Sequence, residues 1–470
     1  MTQLAAMDRD IDLKRAVALI LIASFLFATV LVAIGRPLPA LALLTAPAVA
    51  YLYASPRACF YIFLVSIGFH LPYFIGTFAL WPFDIALVVL FSAILLDFLL
   101  HRQTDIRRTE YDLAFFFLIG ATWLSALFAF DRSQAIVPSF RIMAIYIAFR
   151  AVFKMSSEIG VRKIVLFYIW QVFALSVVNI FLFLMAGGKE RVFGPSWLAF
   201  ENYSMTAVPM ALAFFIWADS TRERLMYALV AIVILFAVAA SGSRGSMLAI
   251  ALALPVLVIA ARWKACREGN RGAVQAANRI IVVAGVGVAL VLFLGTVLFG
   301  GFLERVGELV DSFTRPQGTI ALRLVLWKAA IEGFLTSPLV GIGIGNYTSV
   351  DQIIPAIKAE PVWYYIRGMT AHNVVLHYLA ETGIIGAAAL LTLAGTGLAT
   401  AHRRFRPAMG NRDTQVTAAL FIMMVVFVMS LFFMRAWTWS QEGYVLAIIF
   451  GLNAASGWGC PGDSSQTCPD

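Results

Sequence analysis

Apolar runs of about twenty residues recur along almost the whole of this sequence, separated by short polar stretches. A run of that length, wound as a helix, crosses the hydrocarbon core of a bilayer. Helices can do so because their backbone hydrogen bonds are satisfied within the segment. The pattern therefore predicts an all-α polytopic membrane protein.

Fourteen runs meet this criterion, and three of them (38–54, 203–218 and 442–456) are weak, so about 12–14 transmembrane helices are expected. The predicted spans are 16–34, 38–54, 58–80, 84–100, 112–130, 134–153, 163–186, 203–218, 224–241, 246–261, 279–300, 382–400, 416–434 and 442–456. Only 13% of the residues are charged, against roughly 25% in soluble domains. That composition excludes a soluble enzyme.

Basic residues indicate the orientation of the chain. With the N-terminus in the cytoplasm, 21 Lys and Arg fall on the cytoplasmic side and 12 on the other. Six of those 12 lie in one long loop, where the positive-inside rule carries little weight. Both termini are therefore predicted to be cytoplasmic, and the net charge of +9 is interpreted as this bias and not as a nucleic-acid surface.

The spans divide the chain into four predicted regions. They are an N-terminal helix bundle (1–300), a large periplasmic loop (301–381), C-terminal helices (382–456) and a disordered cytoplasmic tail (457–470). The run at 16–34 is expected to be retained, because a cleaved signal peptide has a shorter apolar region. The four cysteines form no C-x-x-C pair, which argues against a metal site or a disulfide framework.

The large loop contains most of the remaining features. An amphipathic helix is predicted at about 319–335, followed by the turn-rich stretch Ser337-Pro-Leu-Val-Gly-Ile-Gly-Ile-Gly-Asn346. The glycines of that stretch are interpreted as turn residues, because it lacks the Gly-Lys-Ser/Thr ending of a phosphate loop. A second extended piece is expected at 361–366, leading into a helix that starts near Ala371.

Two arginine-containing segments could bind phosphate. Ser241-Gly-Ser-Arg-Gly-Ser246 joins two spans and opens a helix, and helix N-termini favour anions. Arg244 could add a bidentate contact there, although an ordinary tight turn is an equal alternative. Arg323 and Trp327 lie four residues apart on one helical face, which suits either a pyrophosphate clamp or an interfacial aromatic anchor.

Two further residues could carry chemistry. Arg141 lies inside a predicted span, where a cation usually has an anionic partner; Asp84 is one candidate. His372 precedes the helix that re-enters the membrane, and a histidine can act as a base near neutral pH. A structural role is the alternative for both residues. No outer loop carries a carboxylate cluster for a divalent metal, so arginines would have to neutralise any phosphate handled there.

These segments together resemble the O-antigen ligase and O-antigen polymerase superfamily of bacterial membrane glycosyltransferases. The resemblance covers roughly 190–400 and rests on Arg191-Val-Phe-Gly-Pro195, Ser241-Gly-Ser-Arg-Gly245, Arg323 with Trp327, the 337–346 stretch, and His372-Asn373 with Glu381-Thr-Gly383. One departure is Phe200-Glu-Asn-Tyr203, where many relatives have a Pro-Asn signature.

The resemblance implies a glycan donor on undecaprenyl pyrophosphate at the periplasmic face of the inner membrane, a sugar hydroxyl as acceptor, and neither metal nor cofactor. His372, Arg323 and Arg244 would be catalytic residues, while Arg191, Arg141, Trp327 and Asn373 would contact substrate. The aromatic residues of the long loop (Trp327, Trp363, Tyr364 and Tyr365) are expected to suit stacking on sugars. A ligase acting on lipid A–core in lipopolysaccharide biosynthesis is favoured slightly. The alternatives are a repeat-unit polymerase for O-antigen or exopolysaccharide, a protein O-oligosaccharyltransferase and, in a different class, a lipid-linked glycan transporter.

Overall fold

The computed structural model describes residues 55–68, 73–75, 78–80, 82–101, 107–185, 197–241, 244–280, 282, 319–360, 363–408, 410–433 and 442–457. The chain forms two compact units. One comprises 1–66 and 72–106, and the other comprises 67–71 and 107–470. The predicted spans 16–34 and 38–54 and nearly all of 279–300 lie outside the described residues, as does the predicted tail beyond residue 457.

In the part of the first unit that the structure describes, there are two helices and a hairpin. Helix α1 (Pro56–Ile67) is followed by the antiparallel strands β1 (Tyr73–Ile75) and β2 (Phe78–Leu80), and then by α2 (Pro82–His101). Within the predicted span 58–80, the described residues are therefore helical as far as Ile67 and then form two short strands. Apolarity alone cannot distinguish a helix from short strands over such a length.

The second unit consists of helices. The long ones are α3 (Asp112–Leu127), α4 (Arg132–Ile159), α5 (Val161–Met185), α6 (Trp197–Ile216), α7 (Thr221–Ser241), α8 (Arg244–Arg267), α9 (Thr319–Thr336), α12 (Val374–Phe405), α13 (Asn411–Ser430) and α14 (Glu442–Ala455). Between α9 and α12 lie two single-turn helices, α10 (Val350–Ile353) and α11 (Trp363–Ile366), and two 3₁₀ turns (Tyr347–Ser349 and Pro355–Ala359). Residues 271–280 are also helical.

The helices confirm the predicted class. Among the described residues, seven are long and apolar enough to cross a membrane: α2, α4, α5, α7, α8, α12 and α13. Four shorter apolar helices (Pro56–Ile67, Asp112–Leu127, Tyr203–Ile216 and Gly443–Ala455) fall within or overlap other predicted spans. Helix α9 carries Arg323, Lys328 and Glu332 and is not among the span candidates. It is the helix predicted at about 319–335.

Close backbone approach and a few polar contacts hold the second unit together. Helix α14 packs against α4 at Gly451, where an added Cβ would lie 2.6 Å from the Val152 side chain. Small residues at helix crossings are the usual device for packing in lipid. The Tyr168 hydroxyl joins α5 to α6 through Thr206 Oγ1 at 2.7 Å. These contacts fix the helix positions on which the loops rest.

Polar contacts gather at the two ends of the second unit. At one end, Arg150 pairs with Asp112 at 3.0 Å and Lys264 donates to the carbonyl of Ala408 at 2.8 Å. At the opposite end, the residues after α3 meet the loop that follows α9. We call this second end the site rim: residues 125–134, 319–360, 363–382 and 431.

Candidate functional site

Helix α12 is broken near its start, and the break shapes the site rim. Gly383 has φ 62° and ψ −163° inside a 32-residue helix, a conformation that glycine adopts at little cost. Residues 374–382 thus form a short helix on the rim. The remaining 22 residues span about 33 Å at 1.5 Å per residue, enough to cross the bilayer core.

The loop of residues 337–347, called here the docking loop, fills the break. The N–H groups of Ile342 and Gly343 donate to the carbonyls of Ala380 and Glu381, both at 2.9 Å. In return, the N–H of Ile384 donates to the carbonyl of Pro338 at 2.9 Å. A helix break frees backbone groups that would be costly to bury unpaired, and the loop pairs them.

Glycine is required where the two backbones meet. Gly341 has φ 74°, and a Cβ there would lie 2.2 Å from the carbonyl carbon of Glu381. A Cβ on Gly383 would lie 2.3 Å from the carbonyl oxygen of Leu339. The predicted turn role of the Gly341–Gly345 stretch is therefore confirmed, and its purpose is to seat the loop on α12.

The docking loop also joins α12 to the α3–α4 connection. Ser125 Oγ donates to the carbonyl of Glu381 at 2.7 Å and accepts from the N–H of Ile344 at 3.0 Å. The Asn346 side chain accepts from the N–H of Asp131 at 2.7 Å and donates to its carbonyl at 3.0 Å. Sequence reasoning missed both Ser125 and Asn346 as site-rim residues, because they lie more than 200 positions from their partners.

A buried pair lies behind the loop. His377 Nε2 is 3.2 Å from Glu381 Oε2, and both side chains are almost wholly buried (0% and 1% exposed). Glu381 Oε1 accepts from the N–H of Tyr347 at 3.1 Å. Burial, with the nearby Glu381 charge, raises the pKa of the Tyr347 hydroxyl, so that hydroxyl keeps its proton and donates to the carbonyl of Leu326 at 2.5 Å.

Helix α9 is tied directly to the residue before His372. The indole N–H of Trp327 donates to the carbonyl of Ala371 at 3.0 Å. Arg323 is half-buried on the same helix, four residues earlier. The structure therefore brings three predicted site residues into one region. Trp327 contacts the residue before His372, and Arg323 lies on the same helix as Trp327.

His372 has an uncommon backbone. Its φ of 51° is positive, which no other non-glycine residue among the described ones shows. Such a conformation costs about 1–2 kcal/mol for most residues, although histidine and asparagine adopt it more readily than others. Asn373 follows with an extended backbone, caps α12 by accepting from the N–H of Leu376 at 3.0 Å, and is largely buried.

The other predicted site residues are placed less closely. Arg244 opens α8, as expected for the Ser-Arg-Gly segment, and its side chain lies outside the described residues. Arg141 is half-buried within α4. Arg191 lies outside the described residues.

Two expectations for the loop need correction. Residues 363–366 were expected to be extended, but they form the single-turn helix α11. Trp363 was expected to stack on sugars, but its ring is buried at 5% exposure in a cluster with Leu326 and Ala371. Tyr364 and Tyr365 are the exposed rings, at 87% and 71%. A single sequence does not show which aromatic residue of Trp-Tyr-Tyr turns inward.

Fold and site together define a class: a multi-pass helical membrane protein whose polar groups gather on one rim around a broken helix and a docked loop. The family model described as O-antigen ligase matches residues 229–391, about a third of the 470 residues. Residues 229–391 thus match an O-antigen ligase domain, which supports the resemblance to that superfamily. No curated protein matches the chain.

The matched region covers the part of the site rim between residues 319 and 382, but not residues 125–134 or 431. It contains Arg244, Arg323, Trp327, His372 and Asn373, whereas Arg141 and Arg191 precede it. The match supports a glycosyltransferase-like membrane enzyme with an O-antigen ligase or polymerase type of function.

Proposed function

We propose that the protein transfers a glycan from undecaprenyl pyrophosphate to a sugar hydroxyl at the periplasmic face of the bacterial inner membrane, as an O-antigen ligase does with lipid A–core. The observation that carries the proposal is the hydrogen bond from Trp327 to the carbonyl of Ala371. That bond places the helix bearing Arg323 against the residue preceding His372.

The proposed reaction needs a cation and a base. The bond between the anomeric carbon and the pyrophosphate oxygen breaks, and a bond to the acceptor oxygen forms. His372 takes the hydroxyl proton, and the lipid pyrophosphate leaves with the electron pair. Arg323 and Arg244 stabilise the charge that develops on the leaving group, so no metal or cofactor is assigned to the reaction.

The remaining predicted residues are assigned to substrate contact. Arg141 and Arg191 would meet phosphate or glycan. The indole ring of Trp327 would stack while its N–H remains bonded, and Asn373 would contribute through its amide N–H₂, since its carbonyl oxygen caps α12. Tyr364 and Tyr365, whose ring centroids lie 5.8 Å apart, offer two exposed faces suited to sugars.

Contacts at the two ends of the second unit support the proposed orientation. Residues predicted to be cytoplasmic, such as Lys264 and Ala408, contact each other. Residues predicted to be periplasmic, such as Asp131 and Asn346, meet at the opposite end. The proposed cytoplasmic location of both termini rests on the count of basic residues on each side.

A repeat-unit polymerase is the first alternative, because donor chemistry would be the same and only the acceptor would differ. The test uses purified protein in lipid with undecaprenyl-pyrophosphate-linked repeat units, with and without lipid A–core. Product that requires lipid A–core supports the ligase, and a ladder of longer lipid-linked glycans without it supports the polymerase. If verified substrates give no product in either reaction, protein acceptors should be tested next, and transport after them.

The arginine clamp is tested in the same assay. Lysine cannot reproduce the two-pronged contact of a guanidinium, so Arg244→Lys and Arg323→Ala should each impair transfer. Normal transfer by both variants would refute the clamp. Activity should also survive EDTA, and a clear requirement for magnesium would contradict the assignment of charge neutralisation to arginines.

A further inference from the structure

One closed circuit of hydrogen bonds and covalent segments runs through the site rim. Glu381 Oε1 accepts from the N–H of Tyr347 at 3.1 Å, and the Tyr347 hydroxyl donates to the carbonyl of Leu326 at 2.5 Å. That carbonyl belongs to the peptide bond leading to Trp327. The indole of Trp327 donates to the carbonyl of Ala371 at 3.0 Å, in the peptide bond leading to His372.

The short helix 374–382 closes the circuit. It begins at the Asn373 cap, and its first N–H, from Val374, donates to the carbonyl of Leu431 at 2.7 Å. It ends at Glu381, where the circuit started. Three separate segments of the chain are thereby held in one register: α9, the docking loop and the start of α12.

Tyr347 is the residue that joins all three segments. Its backbone N–H contacts α12, its hydroxyl contacts α9, and it lies in the docking loop. Its ring centroid is 4.8 Å from that of His377, and the side chain is buried. Buried in this way, it cannot touch substrate and can act only through other residues.

We propose that Tyr347 is a positioning residue, assisted by Glu381, which sets the position of the helix bearing Arg323 and Trp327 relative to His372. This inference rests on the proposed function. In a transfer reaction, the group that stabilises the leaving pyrophosphate and the group that takes the proton must meet one substrate in a fixed geometry. The circuit supplies that geometry through backbone carbonyls next to Trp327 and His372.

The variant Tyr347→Phe opens the circuit at one point, because it removes the hydroxyl and keeps the ring. In purified protein with the lipid-linked donor, kcat is expected to fall about tenfold while KM for the donor changes less than about twofold. Tyr168→Phe is the matched control: it removes another buried hydroxyl that bonds across two helices, away from the circuit. Equal kcat values in the two variants would overturn the proposal.

A double-mutant cycle adds a readout that a purely structural role would not move. Trp327→Phe opens the same circuit at a second point, so the loss in kcat for the double variant should be well short of the product of the two single losses. If the loss in the double variant equalled the product of the two single losses, the two bonds would act independently, contrary to the proposal.

Glu381 provides a rescue test. Glu381→Gln keeps an oxygen that accepts from the N–H of Tyr347, and Glu381→Ala does not, so kcat should be largely retained in the first and lost in the second.

Hydrogen exchange of the peptide containing 371–376 should quicken in Tyr347→Phe and not in Tyr168→Phe. If the wild type transfers no glycan, the proposed function fails. If it does, and the exchange and kcat of Tyr347→Phe match those of Tyr168→Phe, only the positioning role fails.

Discussion

Asn346 and Asp131 are joined by two hydrogen bonds that imitate a backbone pairing. The amide of Asn346 accepts from the N–H of Asp131 at 2.7 Å and donates to its carbonyl at 3.0 Å. One side chain thus satisfies both backbone groups of a residue 215 positions away in the chain. Through this contact the docking loop is fastened to the start of α4.

Removing the Asn346 amide should destabilise the protein. Asn346→Ala deletes both hydrogen bonds to Asp131 and a third, from the amide N–H₂ to the carbonyl of Ile344 at 3.3 Å. The backbone groups of Asp131 lose their partner, which we expect to cost about 2–4 kcal/mol. Thermal unfolding in detergent measures the change. Asn453→Ala is the control, because Asn453 is equally buried and its amide has no hydrogen-bond partner among the described residues. Similar losses in the two variants would contradict a role for the pairing.

A methyl group at the break in α12 should displace the docking loop. Gly383→Ala combines a positive φ with a Cβ placed 2.3 Å from the Leu339 carbonyl oxygen, so it should cost about 3 kcal/mol or more and abolish activity. Gly395→Ala lies in the same helix with open space around its Cβ, so it should be neutral or stabilise by up to about 1 kcal/mol. Limited proteolysis of the 337–347 region distinguishes them; equal resistance would argue against loop displacement.

His372 permits a clean separation of backbone and side-chain roles. Asparagine and glycine both tolerate positive φ, so His372→Asn and His372→Gly should keep the backbone conformation at this position and fold, which circular dichroism of the purified variants checks. If the imidazole is the base, kcat should fall about 10²–10⁴-fold in both variants. Single-turnover transfer from the lipid-linked donor measures this, and activity near the wild-type rate in either variant would reject the base.

The exposed tyrosine pair should affect substrate use and not stability. Replacing Tyr364 and Tyr365 by Ala should raise KM for the glycan substrates several-fold, at about 1 kcal/mol for each stacked ring, with little change in melting temperature. Phe128→Ala is the control, since Phe128 is an exposed ring on the same rim. Equal effects of the two changes would indicate membrane anchoring in place of sugar contact.

Stability should depend on pH through Asp131. The hydroxyl of Ser133, followed by the backbone N–H groups of Ser133 and Gln134, lowers the pKa of its carboxyl from the ordinary 3.8. The stabilisation is therefore complete above that value and is lost as pH falls through the lowered pKa. The melting-temperature difference between wild type and Asp131→Asn should shrink as pH falls below 4; a constant difference would contradict this.

Much of this protein could be predicted from the order of its residues. Apolar runs fixed the all-α membrane class, because a bilayer admits few other structures. The charged residues Arg323, Lys328 and Glu332 predicted a helix at α9 that is not a membrane span, and the glycines at 341–345 predicted a turn. Each of these features depends on near neighbours in sequence or on the bilayer itself, so a single chain reveals it.

The tertiary structure decided how the pieces meet. That Asn346 would bond to Asp131, that Tyr347 would bridge Leu326 and Glu381, and that Trp363 would turn inward while Tyr364 turned outward all depend on partners distant in sequence. Local periodicity carries no information on such pairs. The sequence by itself determined a membrane-spanning helical protein and predicted arginines and a histidine in one long loop. Only the tertiary structure decided which of these residues lie close together. The docking loop packs on the break at Gly383, because the backbone groups freed there have to be paired.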